Sequence, residues 1–172
     1  MDGPEGMVED NSQTTDETKG RLVDVILDEK SFARASSDIE HDRAVAIFDL
    51  IEDNSFQPVG YPPNRFILHI AVIDNRLAFQ VTDTGGKEIV THVLSLSPLR
   101  KIVKDYNLIC QSYYDAIRHM TPSQIEAIDM GRRGVHNEGS TILMDRLEGK
   151  IKVDIQTARR LFTLVYALYS KA

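Results

Sequence analysis

From Phe66 to Val81 apolar side chains recur at every second position, Phe66, Leu68, Ile70 and Val72 on one side of Asp74–Asn75 and Leu77, Phe79 and Val81 on the other. Period-two alternation is the mark of a strand with one buried face. With Asp74–Asn75 as a two-residue turn, Val72 faces Leu77, Ile70 faces Phe79 and Leu68 faces Val81, while His69 faces Gln80 on the opposite side. Three apolar pairs in one register predict a hairpin. Gly85–Gly86 offers a second turn, which lays Val90, His92 and Leu94 opposite Val81, Phe79 and Leu77. A slip of one residue would turn His92 outward instead.

Around this hairpin the remaining elements can be placed. Arg21–Asp28 alternates, with Val23, Val25 and Leu27 on one side and Leu22 and Ile26 on the other, and reads as a first strand. Ser37 and Glu40 form a capping box for a helix over about 38–53, its spacing carried by Ile39, Ala46, Ile47, Leu50 and Ile51. Phe56–Asn64, with Pro58, Pro62 and Pro63, reads as a loop. Ser97–Pro98 offers an N-cap and a first-turn proline for a helix whose stripe runs from Leu99 to Ile117 and includes Cys110. Thr121–Gln124 repeats that signal with a capping box, opening a helix at about 122 that Gly131, Gly134 and Gly139 weaken, with a break at Gly134 left open. Lys150–Val153 reads as a short strand, and Asp154 caps a last helix whose Ala158, Leu161, Phe162, Val165 and Leu168 place it in the core. The order predicts an α+β fold: an antiparallel sheet of about four strands covered by about four helices.

Residues 1–19 are acidic, hydroxylic and glycine-containing with Met7 and Val8 as the only sizeable apolar pair, too little to offset ordering, so they read as a disordered acidic tail before a single α+β domain at 20–172. The start has no basic residue ahead of an apolar run, and no window has the length of apolar sequence a membrane span requires, which makes the expected location cytoplasmic, with no membrane partner. Twenty Lys and Arg against 26 Asp and Glu give a net charge of −6, which opposes a general attraction to nucleic acid. One cysteine excludes an internal disulfide and a cysteine-based metal site; the histidines show no ligand spacing, and no nucleotide, zinc-protease or hydrolase signature occurs. No metal and no cofactor is expected, and oligomeric state is left open.

The segments RAVAIFDLIEDNSFQPVG, LSLSPLRKIVKDYNLICQSYYDAIR, TPSQIEAIDMGRRGVHNEGS and LEGKIKVDIQTARRLFTL resemble an alphaproteobacterial family catalogued as an uncharacterised protein family. The resemblance covers about residues 20–169. It implies a bacterial cytoplasmic protein and carries no activity, cofactor or catalytic residue to any position.

Chemistry concentrates in Ala127–Ser140, where acid, base, amide, hydroxyl and three glycines crowd together. On a continuous helix, Ile125, Ile128, Val135, Ile142 and Leu143 define an apolar arc that also contains Arg132 and His136, with Asp129 and Ser140 on its edge. A guanidinium on such an arc needs an acceptor, which Asp129 can supply from three residues earlier. A functional reading makes Arg132 and Arg133 a fork for carboxylate or phosphate, His136 a proton donor or acceptor near neutral pH, and Asn137 and Ser140 further polar contacts. The glycines would then admit a ligand or another backbone. The bland reading is an internal ion-pair network, or a helix broken at Gly134 that exposes these groups to water. Other polar positions read as structure: His92 as a core histidine, His69 and Gln80 as a polar sheet face, Arg100, Lys101 and Lys104 as a solvated ridge, and Tyr113–Tyr114 as packing with one ring free for a partner.

Two functional classes follow. One is a non-catalytic binding or regulatory module for an unknown protein or small anionic ligand. The alternative is a small enzyme acting on an anionic metabolite through Arg132, Arg133 and His136. They divide on whether these three side chains converge in a concave pocket: a flat, exposed arrangement favours partner binding, and a closed salt-bridge network favours the bland structural reading.

Overall fold

The computed structural model describes residues 19–28 and 37–169, so the expected acidic tail lies outside the described residues except for Lys19. Ten elements follow in order: β1 (Arg21–Leu27), α1 (Ser37–Glu52), β2 (Phe56–Pro58), β3 (Arg65–Ile73), β4 (Arg76–Asp83), β5 (Glu88–Ser95), α2 (Ser97–His119), α3 (Pro122–Leu147), β6 (Ile151–Val153) and α4 (Ile155–Tyr169). The fold is α+β, with four helices and a four-stranded sheet in the order β1-β3-β4-β5 among the described residues.

The hairpin has the register read from its alternation: Val72 pairs with Leu77, Ile70 with Phe79, Leu68 with Val81 and His69 with Gln80. Asp74 and Asn75 have φ of 48° and 64°, the left-handed pair that a two-residue turn between right-twisted strands demands. Beyond the second turn, Val90, His92 and Leu94 lie against Val81, Phe79 and Leu77. There the Asp83 carboxylate accepts from the backbone N–H groups of Gly85 and Lys87, each at 2.9 Å.

Three local readings need correction. First, β1 pairs with β3 in parallel, because the chain between them passes through α1, a crossover rather than a hairpin. Its alternation is also broken: the register shifts between Leu22 and Asp24, so Leu22 and Val25 are the buried pair. Asn54 completes the irregularity, since its Oδ1 accepts from Leu22 N at 2.7 Å and its Nδ2 donates to Leu22 O and Leu50 O. Second, Phe56–Pro58 is a strand, paired antiparallel with β6, and Pro58 sits at its end where no ladder N–H is missed. Third, α2 is capped at Leu96 without a side-chain bond, not at Ser97, and α1 begins at Ser37 itself, so its cap position falls outside the described residues.

The helices otherwise follow their signals. Thr121 makes the full capping box with Gln124, and α3 runs unbroken through Gly131, Gly134 and Gly139. Asp154 Oδ1 accepts from Thr157 N at 2.8 Å to start α4. That helix is buried almost all round, through Ala158, Leu161, Phe162, Leu164, Val165 and Leu168. It packs on α1, α3 and β3, which makes it the centre of the core.

Candidate functional site

Because α1 and α3 both pack on α4, the surface of α4 between them is the floor of a cleft, of about 430 Å³. From α3 come Arg132, Arg133 and His136, so the three side chains expected to carry chemistry do converge in one concavity. The opposite wall is Asp42, Val45, Ala46 and Asp49, spaced i, i+3, i+4 and i+7 along one face of α1. The floor supplies Arg159, Arg160 and Thr163, and Tyr106 of α2 closes the inner end.

Helix packing sets the position of the α3 groups. At Gly139 a Cβ would stand 2.3 Å from Phe162 Cζ, so only glycine lets the two helices approach with this ring between them. The Phe162 ring in turn meets His136 edge-on, with centroids 5.2 Å apart and planes at 83°, and Tyr106 meets the imidazole from another side at 5.3 Å. A Cβ at Gly131 would stand 2.9 Å from Ile109 Cδ1, the end of a flexible side chain that can shift, whereas one at Gly134 would meet open space. Two of the three glycines thus lie against side chains of neighbouring helices.

His136 is an uncharged group here. Burial, then the positive charges of Arg159 and Arg132, hold its pKa down to about 4, so the proton exchange near neutral pH expected of it does not follow. Its Nε2 lies 2.8 Å from Thr163 Oγ1, and the Thr163 hydroxyl donates to the Arg159 carbonyl at 3.3 Å. That chain of bonds assigns the ring proton to Nε2. Ser140, fully buried, donates to the His136 carbonyl at 2.7 Å along its own helix, and its hydroxyl oxygen lies 3.5 Å from His136 Nδ1.

The four arginines are not equivalent. Asp129 Oδ1 accepts from Arg132 Nε and Nη2 at 3.2 and 2.8 Å, and its Oδ2 lies 3.3 Å from Arg133 Nε. Arg132 also lies over the Tyr113 ring, 4.0 Å from the centroid, and its side chain is 22% exposed against 60% for Arg133. Arg132 is therefore held, and Arg133 is largely solvated. Arg160 donates from Nη1 to the Asp53 carbonyl at 2.7 Å. Arg159 is half-buried, and its guanidinium has no hydrogen-bond or ion-pair acceptor among the described residues. Asn137 is exposed and does not line the cleft.

Sequence reasoning missed Asp42, Asp49, Arg159, Arg160 and Thr163. Arg159–Arg160 did leave a signal, as the only charged pair in the otherwise apolar ARRLFTLVYALY run. Nothing singled out Asp42 or Asp49 among the many charges of α1. Elsewhere Cys110 is buried among core positions, and no three His, Cys, Asp or Glu side chains among the described residues could together hold a metal ion. No described helix is long and apolar enough to cross a membrane.

Residues 19–171 match the model of the Uncharacterised protein family UPF0262. The chain belongs to that family. Its relatives include a UPF0262 protein of Chelativorans sp. (strain BNC1), 64% identical over 152 residues that cover 88% of this chain and 94% of the relative. The UPF0262 protein R00612 of Rhizobium meliloti (strain 1021) is 62% identical over 149 residues, covering 87% and 94%. The UPF0262 protein mll6455 of Mesorhizobium japonicum is 62% identical over 158 residues, covering 90% and 96%. No solved structure matches the chain.

Proposed function

We propose that this chain is a non-catalytic cytoplasmic module that binds a small anionic metabolite in the cleft between α1, α3 and α4. The observation that carries the reading is Arg159: a half-buried residue whose guanidinium has no acceptor among the described residues, beside Arg132, Arg133 and Arg160 in one concavity. Burying a cation without a partner costs free energy, and groups left incompletely paired on a concave wall are the ones recognition uses. A guanidinium offers five N–H donors in a fixed fork, suited to a carboxylate or a phosphate. Arg132 would orient the same ligand from the side, since Asp129 and the Tyr113 ring fix its plane. Asp129 acts as a positioning group, Ser140 as a helix-internal bond, and Asn137 lies outside the cleft. Convergence of Arg132, Arg133 and His136 in one pocket would by itself suit an enzyme, but His136, neutral at pH 7 and engaged by Thr163, offers a hydrogen bond rather than an exchangeable proton, which favours binding over acid–base catalysis.

The test is calorimetric titration of the full chain with inorganic phosphate and with acetate, malonate and glutarate. At least one should bind saturably, and Arg159→Met should abolish that heat while shifting unfolding by less than about 1 kcal/mol. Undiminished binding by a folded Arg159→Met protein would overturn the reading, as would the absence of heat from every phosphate and carboxylate titrated, amino acids included.

A further inference from the structure

The α1 wall of the cleft makes it more than an anion site. Asp42 and Asp49 stand two helical turns apart on the face that looks across at the arginines, with Val45 and Ala46 between them. Neither carboxylate makes an ion pair with any described residue, and none crosses the cleft to Arg132, Arg133, Arg159 or Arg160. An internal ion-pair network would have closed this gap, because opposite charges held near each other gain most when they touch. Asp42 is instead engaged by Tyr114 of α2, whose hydroxyl donates to Oδ2 at 2.8 Å, which leaves Oδ1 to accept from a ligand. The site therefore has a basic side and an acidic side with solvent between. Four guanidiniums stand against three carboxylates when Asp129 is included, so the excess is a single positive charge.

We infer that the cleft selects a zwitterion: a small metabolite of the amino-acid class whose carboxylate meets Arg159 and Arg132 while its ammonium meets Asp42, with Asp49, about 10 Å further along α1, adding negative potential to the same wall. A ligand anionic throughout, such as a polyphosphate, would meet repulsion from the α1 wall. One with a single anionic group and an ammonium presents each wall with the opposite charge. Val45, Ala46 and Tyr106 supply an apolar lining against which an aliphatic body can rest.

This inference rests on the anion-binding reading, and the experiment separates the two. The full chain is titrated calorimetrically with each of the twenty amino acids and with β-alanine, 4-aminobutyrate and 5-aminopentanoate, each beside the same carboxylate lacking the amine. At least one zwitterion should bind about tenfold or more tightly than its amine-free partner. Asp42→Asn should weaken that zwitterion by about tenfold and Asp49→Asn by less, both leaving the amine-free acid equal or stronger, and Arg159→Met should lose both. If no zwitterion binds more tightly than its partner acid, the inference is overturned while anion binding stands. If the aspartate variants bind the zwitterion undiminished, it is likewise overturned. If neither class binds, both readings fall.

Discussion

Because His136 is kept neutral by its surroundings, acid should weaken the protein by an amount that can be worked out in advance. The unfolded chain takes up the imidazole proton at about 6.5, the folded chain only at about 4. A group whose pKa is lowered by folding contributes its full stabilising effect above the unfolded value and loses it as pH falls toward the folded one. Between pH 7 and pH 5 the unfolded state gains a proton that the folded state refuses, which is worth roughly 2 kcal/mol at 1.36 kcal/mol per pKa unit. His92, lowered by burial and then by Lys150, pulls in the same direction, so the wild-type curve alone does not isolate the group. His136→Gln does. Glutamine retains a donor and an acceptor but cannot titrate. Urea unfolding of both proteins at pH 7, 6 and 5 should show the wild type losing about 2 kcal/mol more than the variant over that interval, whatever offset the substitution causes at pH 7. Parallel curves for the two proteins would show that the imidazole is not held neutral by burial, and would remove the basis for treating it as a non-titrating hydrogen-bonding group.

Other substitutions test the packing beneath the cleft. Gly139→Ala would set a Cβ 2.3 Å from Phe162 Cζ and should destabilise by about 1–3 kcal/mol, whereas Gly134→Ala meets nothing within 4 Å and should stabilise α3 by roughly 0.5–1 kcal/mol. Urea midpoints moving in the same direction for both would refute the assignment of Gly139 to helix contact. Leu161→Ala, fully buried in α4, should cost about 2–5 kcal/mol, while Arg159→Ala, which breaks no bond to its guanidinium, should cost under about 1 kcal/mol. Similar losses by the two in chemical denaturation would place Arg159 in a structural network.

The elements that could be read from sequence are those whose signal is local. The β3–β4 register is set by alternation on both sides of a turn, and Asp74 and Asn75 tolerate the left-handed backbone that turn requires. Thr121 and Gln124 satisfy each other's backbone within one turn, and Asp154 does the same for Thr157. Elements held by distant partners were not legible. The shift in β1 depends on Asn54, some thirty residues on. Phe56–Pro58 becomes a strand only because Ile151–Val153 lies beside it, and its proline argued the other way. In α3 the reason for glycine at 139 is likewise distant, since the Phe162 ring of α4 occupies the space a side chain there would fill.

The same distinction governs the site. Arg132, His136 and Asp129 could be singled out because helical spacing places them together within one segment, and the Asp129–Arg132 bond is itself a three-residue relation. The facing half of the cleft depends on the crossover. Since β1 pairs in parallel with β3, the intervening chain must cross from one strand to the next, and α1 in that connection packs against β1 and α4. Had β1 and β3 formed a hairpin, Asp42 and Asp49 would have had no wall to occupy. Their spacing, i and i+7 on an amphipathic helix, is what any solvated face shows, and only the placement of α1 opposite α3 gives it meaning. Arg159 was obscured for the converse reason. On a helix exposed along one side it would be an ordinary surface cation, but α4 is enclosed by α1, α3 and the sheet, and the stretch of its surface left open is the floor of the cleft. The charge pattern that distinguishes a zwitterion site from an ion-pair network thus arises at the level of topology, in the separation of two helices by a third.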